Sequence, residues 1–340
     1  MREQHDNAWI QRELVGQFLT AGTVESPPPL IKGPIFQGEQ SKVFYAETPS
    51  CPYPLAVKLC ISHRTGLPNP VDAAEQFQAL QAIAPLMPKG EPYGVPQPLK
   101  LDAPNGLVAI EWINGRTLTD CLRDFRFPVN QVFTLFERAG IWLQYFHSTS
   151  NETAANLDAK EQFQKFAASL TSSALRSNRT FMRAYREVER GVDGIHKQAF
   201  PRALLHGDFK TDNLMLSAGR MVGLDIQSRH KNLVLWDIVA FLNRLGLFFY
   251  SPRGLRLLRS RQEIEQRFLT GYFKRELTSR EAGAIAWLRL LILLQQWDER
   301  HIAMANNRLK RAVNNWTYAR EANRLSFALS RAAVQESSDE

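Results

Sequence analysis

His206-Gly207-Asp208-Phe209-Lys210-Thr211-Asp212-Asn213 is the stretch on which the reading of this chain turns. Moving a phosphoryl group requires a carboxylate beside the attacking hydroxyl and oxygen ligands that hold Mg2+. Asp208 and Asn213 stand five residues apart. A loop of that length can aim a carboxylate at a substrate and turn an amide oxygen back towards a metal. The same spacing also occurs in ordinary polar loops, where Asp and Asn make turns. The choice between the two depends on whether the other parts of such a site follow in order.

Downstream, Met221-Val222-Gly223-Leu224-Asp225 is an apolar run ending in a carboxylate, twelve residues after Asn213. An Asp at the end of a short strand can bind Mg2+ bridging nucleotide phosphates, and it can equally be a plain strand end. Asp237 opens the apolar segment Ile238 to Leu242, where an Asp caps a helix or braces a neighbouring loop. Upstream, Gly38-Glu39-Gln40-Ser41 lies between the strand-like runs Ile31–Phe36 and Lys42–Ala46. It is either a loop over phosphates, with Gly38 and Ser41 at its ends, or a hairpin turn. Lys58 sits in Ala56-Val57-Lys58 on a third strand, Leu55–Cys60. It is placed to meet α/β-phosphates, though a strand lysine facing outwards is also commonly just solvated. Glu75 on the next helix, Val71 to Ala84, can hold Lys58 by an ion pair or belong to a solvated face.

With these parts in hand, the chain resembles the aminoglycoside phosphotransferase/choline kinase family of small-molecule kinases. The resemblance rests on HGDxxxxN, the run ending in Asp225 and the Trp236-Asp237-Ile238-Val239-Ala240-Phe241-Leu242 segment, and it spans roughly residues 30 to 300. It implies Asp208 as catalytic base, Asn213 and Asp225 as Mg2+ ligands, and His206 and Asp237 as braces of the catalytic loop. It also implies that Ala109 to Leu118 is the hinge, where adenine meets backbone groups near Glu111 and Ile113. Leu143 to His147 resembles the family's helix ending in Leu-His, and His147 reads as a structural helix-end residue. Gly207 stands where protein kinases usually carry Arg, which points to the small-molecule branch. Gln227 departs from the acidic or aromatic residue that the family often has after Asp225-Ile226.

The implied fold is α+β, a two-lobed protein-kinase-like architecture with a small antiparallel-sheet N-lobe and a larger, mostly helical C-lobe. The expected division is an N-terminal extension 1–29, an N-lobe 30–113, a C-lobe 114–331 and a flexible tail 332–340. Strands are expected over Val95–Leu101 and Gly106–Trp112, and as short pieces at Leu204-Leu205, Leu214–Leu216 and Met221–Leu224. Helices are expected over 117–126, 129–147, 158–198, 235–249, 261–275 and 279–331.

Composition sets the outer bounds. The 340 residues are 44% hydrophobic and 22% charged, ample for a large core and unlike a disordered chain. Cys51, Cys60 and Cys121 form no CxxC pair, which fits free thiols in a reducing compartment. The first residues are charged and carry no apolar signal core, and the most apolar stretches, Leu233–Tyr250 and Ala284–Trp297, contain Asp237, Arg244 and Arg289. The expectation is a cytoplasmic protein.

The expected activity is transfer of the ATP γ-phosphoryl, with Mg2+, to a hydroxyl of a small molecule such as a sugar, an amino alcohol or an aminoglycoside-like acceptor. A lipid-linked or cell-envelope sugar as acceptor, and a nucleotide-binding pseudokinase, are the alternatives. No nucleic-acid partner is expected. Trp297, Asp298 and Glu299 are candidate pocket residues for a cationic acceptor. Against one stands the formal charge of +8, with basic residues at Arg253, Arg256, Arg259 and Arg261 and at Arg308, Lys310, Arg311, Arg320 and Arg324. Those clusters read as solvated helix faces or as contacts to an anionic or membrane surface.

Overall fold

Alternation along Leu55–Cys60 organises the N-terminal sheet. Side chains of a strand point to opposite faces in turn. Leu55, Val57 and Leu59 pack with Phe44, Ala46, Leu107 and Ala109 and with Val15, Phe18 and Leu19 of a helix over 13–20. Cys60 points the other way, onto Ala73 and Phe77 of the helix Pro70–Ile83. Lys58 shares the parity of Cys60, so it lies on the sheet face that this helix covers. A computed structural model of the chain describes residues 13–20, 28–38, 40–88, 90–150, 153–227 and 230–339, with side chains up to Arg331. Most of the expected 1–29 extension, Glu39 of the 38–41 loop and the side chains of the 332–340 tail lie outside the described residues.

The sheet has five strands in the order Leu30–Gln37, Ser41–Glu47, Leu55–Cys60, Leu107–Glu111, Pro98–Asp102, all neighbours antiparallel. The register places Lys58 opposite Val43 on one side and Val108 on the other. Pro70–Ile83 starts where Asn69 accepts the Asp72 amide and Pro70 occupies the first turn, and it stops before Pro85.

Contacts divide the chain into Met1–Arg116 with Leu214–Ser228, and Thr117–Asn213 with Arg229–Glu340. The segment carrying Asp225 is counted with the first unit because Arg220–Gly223 runs parallel to Tyr93–Gly94 and the Met221 amide donates to Pro92 O at 2.8 Å. Leu214–Ser217 pairs antiparallel with Arg220–Gly223 to complete that hairpin.

The second unit is mostly helical. Val129–Ser148 buries Val132, Phe136, Ala139, Trp142, Leu143 and Phe146, the three-and-four spacing of one helix face. It meets Arg261–Phe273 closely enough that a Cβ on Gly140 would lie 2.1 Å from Phe268 O. Two expected long helices are broken. The span 158–198 is Ala159–Ser169, Ser173–Arg176 and Arg179–Ile195, because Ser172 and Asn178 turn their side chains onto amides of the next helix and start it anew. The span 279–331 is Ser279–Ala303 and Arg308–Asp339, with Asn307 Oδ1 accepting the Lys310 amide at the restart. Ala199–Leu204 is a full strand between Thr153–Asn156 and Lys231–Leu233, a sheet of which only its end at Leu204 was anticipated.

Candidate active site

The loop 206–213 is held from three directions within the second unit. Asp237, in the first turn of Leu235–Phe248, does not cap its own helix. Its Oδ2 accepts the His206 amide at 2.6 Å and its Oδ1 accepts the Gly207 amide at 3.1 Å. His147 Nε2 lies 3.1 Å from Asp237 Oδ2, and His147 Nδ1 lies 2.8 Å from the Tyr272 hydroxyl. Burial pushes the Asp237 carboxyl up, but the His147 hydrogen bond, the charges of His147 and His206 and the His206 amide outweigh it, and the carboxyl ends below its ordinary value. Gly207 has φ +83°, a region that a residue with a Cβ enters at a cost, so the glycine is required by the turn itself.

From below, Phe209 anchors the loop in the core. It is fully buried, stacks on Trp142 with ring centroids 5.6 Å apart, and lies 4.8 Å from the Phe241 ring. His206 is also buried, edge-on to Trp142, and its Nδ1 accepts the Asp208 amide at 3.4 Å. From the side, Thr211 and Thr119 share a hydroxyl–hydroxyl hydrogen bond of 2.7 Å.

Held in this way, the Asp208 carboxylate has cations on both oxygens. Arg244 Nη2 is 2.8 Å from Oδ1, and Lys210 Nζ contacts Oδ2. Asn213 closes the loop, its Nδ2 donating to Asp208 O at 2.9 Å and to Asp208 Oδ2 at 3.2 Å. With the amide nitrogen committed, the Asn213 oxygen is the atom left for a ligand. Sequence reasoning missed Phe209, Lys210 and Arg244. Phe209 and Lys210 lay inside the quoted octet, while Arg244 is 36 residues from Asp208 and carried no local signal.

In the first unit, Lys58 Nζ and Asp225 Oδ1 form an ion pair of 2.6 Å, joining residues 167 positions apart. Asp225 takes φ +59°, and Gln227 Nε2 donates to its other oxygen at 3.1 Å. Sparsely populated backbone conformations of this kind collect at functional sites. Glu75 is half-buried on Pro70–Ile83. The Gly38 amide donates to Ser41 O at 2.9 Å, closing the turn between the first two strands. At the expected hinge, the Glu111 amide donates to Gln97 O and the Trp112 amide to Pro54 O, while the Ile113 amide has no acceptor among the described residues.

Some expected site residues are placed elsewhere. Trp297 is buried and donates to Asn315 Oδ1, and buried Asp298 accepts the Thr171 and Ser172 amides. Both are structural, and Glu299 accepts from Gln295 on its own helix. Nor are all the basic clusters solvated. Arg256 donates to the carbonyls of Phe127, Leu122 and Asp124, and Arg261 and Arg324 join Arg289, Glu265 and Glu321 in one buried network.

A sheet unit carrying a paired lysine and aspartate, and a helical unit carrying a braced Asp–Asn loop, define a kinase-like α+β fold. The profile of the phosphotransferase enzyme family (APH) matches residues 34–247, and the chain belongs to that family. No curated protein matches the sequence significantly. Among solved structures, a choline/ethanolamine kinase family protein from Mesorhizobium loti aligns over 94% of this chain and 98% of its own, at TM-score 0.58 and 17% identity. An amicoumacin kinase in complex with AMP-PNP, Ca2+ and Ami covers 96% of both chains, at TM-score 0.59 and 14% identity. The gentamicin complex of APH(2")-IIa covers 90% of this chain and 95% of its own, at TM-score 0.53 and 12% identity. At these identities the likeness is one of fold.

Proposed function

We propose that this phosphotransferase moves the γ-phosphoryl group of ATP onto a hydroxyl of a small molecule. The observation that carries this reading is the Asp208 loop: a carboxylate whose backbone is fixed by Asp237 and Phe209 and whose oxygens are held by Arg244, Lys210 and Asn213. Asp208 orients the acceptor hydroxyl and takes its proton as the hydroxyl oxygen bonds the γ-phosphorus and the bond from that phosphorus to the bridging oxygen breaks, releasing ADP. His206 and Asp237 act by positioning. Lys58 binds α/β-phosphate oxygens, Glu75 supports that lysine, and the backbone between Gly38 and Ser41 covers the phosphates. The adenine edge meets the backbone at Glu111 and Ile113.

Asn213 and Asp225 are the proposed Mg2+ ligands. An amide oxygen and a carboxylate are hard oxygen donors, and Mg2+ is commonly held by one or two such groups with phosphates and waters completing the shell. Among the described residues no group of three His, Cys, Asp or Glu gathers to hold a metal. When bound, the ion neutralises charge developing on the transferred group.

The test is Mg2+-dependent ADP release with a panel of hydroxyl compounds, wild type against Asp208→Asn. The panel includes choline, ethanolamine, glucosamine and gentamicin, since solved relatives are named for them. The expected result is acceptor-dependent turnover that falls by about 10²–10⁴ in the variant while ATP binding persists. Equal turnover by both proteins, or ATP bound and consumed by neither, would overturn the reading.

A further inference from the structure

The last helix, Arg308–Asp339, has two unlike faces. Its inner face buries Tyr318, Glu321, Ala322, Leu325 and Leu329. Its outer face leaves Leu309 76%, Val313 58%, Trp316 48% and Phe327 65% exposed. At about 100° per residue these four side chains fall on one stripe about 60° wide, together with Arg320 and Arg331. The stripe from Leu309 to Arg331 runs for about 33 Å. Single exposed apolar residues are ordinary, but four on one helix face, interspersed with cations, mark a contact surface.

Charge says what the surface contacts. Arg308, Lys310, Arg320 and Arg331 are all exposed, and the one acidic residue between 308 and 331, Glu321, is fully buried. The Arg320 guanidinium lies 5.5 Å above the Trp316 ring and that of Arg331 5.9 Å above Phe327. Apolar rings and stems flanked by cations suit the boundary between acyl chains and charged headgroups. A hollow of about 540 Å³ opens beside the stripe, lined by Leu247, Met304, Leu309 and Val313 and by the cations Arg300 and Lys310. Pairing with a second copy in full register, parallel or antiparallel, would set Arg320 against Arg320, a like-charge contact that disfavours it. A nucleic acid would engage the cations and leave Leu309, Val313 and Phe327 in water. No helix of the described residues is long and apolar enough to cross a membrane, so this one would lie on a bilayer rather than in it.

We propose that the outer face of this helix docks the protein onto an anionic lipid surface. The inference does not depend on the phosphotransfer reading. The test is co-sedimentation of the full chain with vesicles of phosphatidylcholine alone or with about one-third phosphatidylglycerol. Each engaged cation near such a surface is worth about fivefold in affinity, so binding to the anionic vesicles should be at least about tenfold tighter and should weaken in high salt. Leu309→Ser/Phe327→Ser, at the two most exposed apolar positions, should reduce binding by about tenfold or more. Arg308→Glu/Lys310→Glu should remove the preference for anionic vesicles. Both variants should keep the wild-type melting curve. No sedimentation with anionic vesicles, equal binding to both compositions, or variants that bind like wild type would overturn the proposal. So would a dimer in light scattering that Leu309→Ser/Phe327→Ser disperses, since the stripe would then belong to a second copy.

Discussion

Asp237→Asn tests the claim that the Asp208 loop is held from behind by one carboxylate. In the wild type two oxygens serve the His206 amide at 2.6 Å, the Gly207 amide at 3.1 Å and His147 Nε2 at 3.1 Å. An asparagine keeps one oxygen and replaces the other with an NH2 group. If its oxygen faces His206 and His147, the NH2 points at the Gly207 amide, donor against donor. Removing the charged partner from a buried hydrogen-bonded network and stranding the Gly207 donor costs about 3–5 kcal/mol. At about 2–4 °C per kcal/mol the melting temperature should fall by about 6–20 °C. The pH dependence follows from the depressed Asp237 carboxyl. Its contribution is fully present above the ordinary carboxylate value of 3.8 and is lost as pH falls through the lower folded value. The gap between wild type and variant should therefore narrow as pH falls below about 4. Well below the melting point the variant should lose about 10² in kcat through a misplaced Asp208, with ATP affinity within about threefold of wild type. Calorimetry and steady-state kinetics read both. A destabilised variant whose folded fraction turns over at the wild-type rate would refute the bracing role, and an unchanged melting temperature would refute the energetic argument.

Lys58→Met should raise the KM for ATP and lower kcat together, about 10²-fold in kcat/KM, since Lys58 is the cation paired with Asp225; an ATP titration unaffected by the change would remove Lys58 from the nucleotide site. Arg244→Gln removes the half-exposed cation on Asp208 Oδ1 and should leave the melting temperature within about 2 °C while lowering kcat about tenfold; an unchanged kcat would make that pair incidental. Burial pushes the Cys60 thiol up to about 11 against the opposing pull of Lys58, so iodoacetamide at pH 8 should label half-buried Cys51 and spare Cys60 in mass spectra of the folded protein.

The parts of the fold legible in the sequence were those whose signal is local. Leu55–Cys60, Ser41–Glu47 and Pro70–Ile83 lie within a residue or so of the expected Leu55–Cys60, Lys42–Ala46 and Val71–Ala84, because their apolar runs and helical spacing are local signals. Asp208 and Asn213 were visible because five residues of spacing encode the loop that joins them. The strand Ala199–Leu204 was not legible: Pro201 and Arg202 interrupt its alternation, and its partners lie about 30 and 45 residues away in sequence.

Partners at long sequence separation account for most of the remainder. His147 read as a structural helix-end residue and does lie in the last turn of Val129–Ser148, but its burial and its link between Asp237 and Tyr272, 90 and 125 residues away, carried no local signal. Arg261 and Arg324 read as members of solvated basic faces, although each faces a buried carboxylate. Composition records that a charge exists and says nothing of what lies opposite. Glu265 and Glu321 are buried, and burial alone would push their carboxyls up. The surrounding guanidinium groups of Arg289, Arg324 and Arg261 outweigh that and hold both below the ordinary range. A buried network with three arginines and two glutamates tolerates the loss of a glutamate worse than that of exposed Arg320, because an unpaired buried cation keeps its desolvation cost and loses its compensation. Glu321 thus has two consequences on one helix. It fixes the inner face of the helix to Arg261 and Arg289, and because it is the one acid between 308 and 331 and is consumed there, the outer face over that span is left with apolar and cationic side chains.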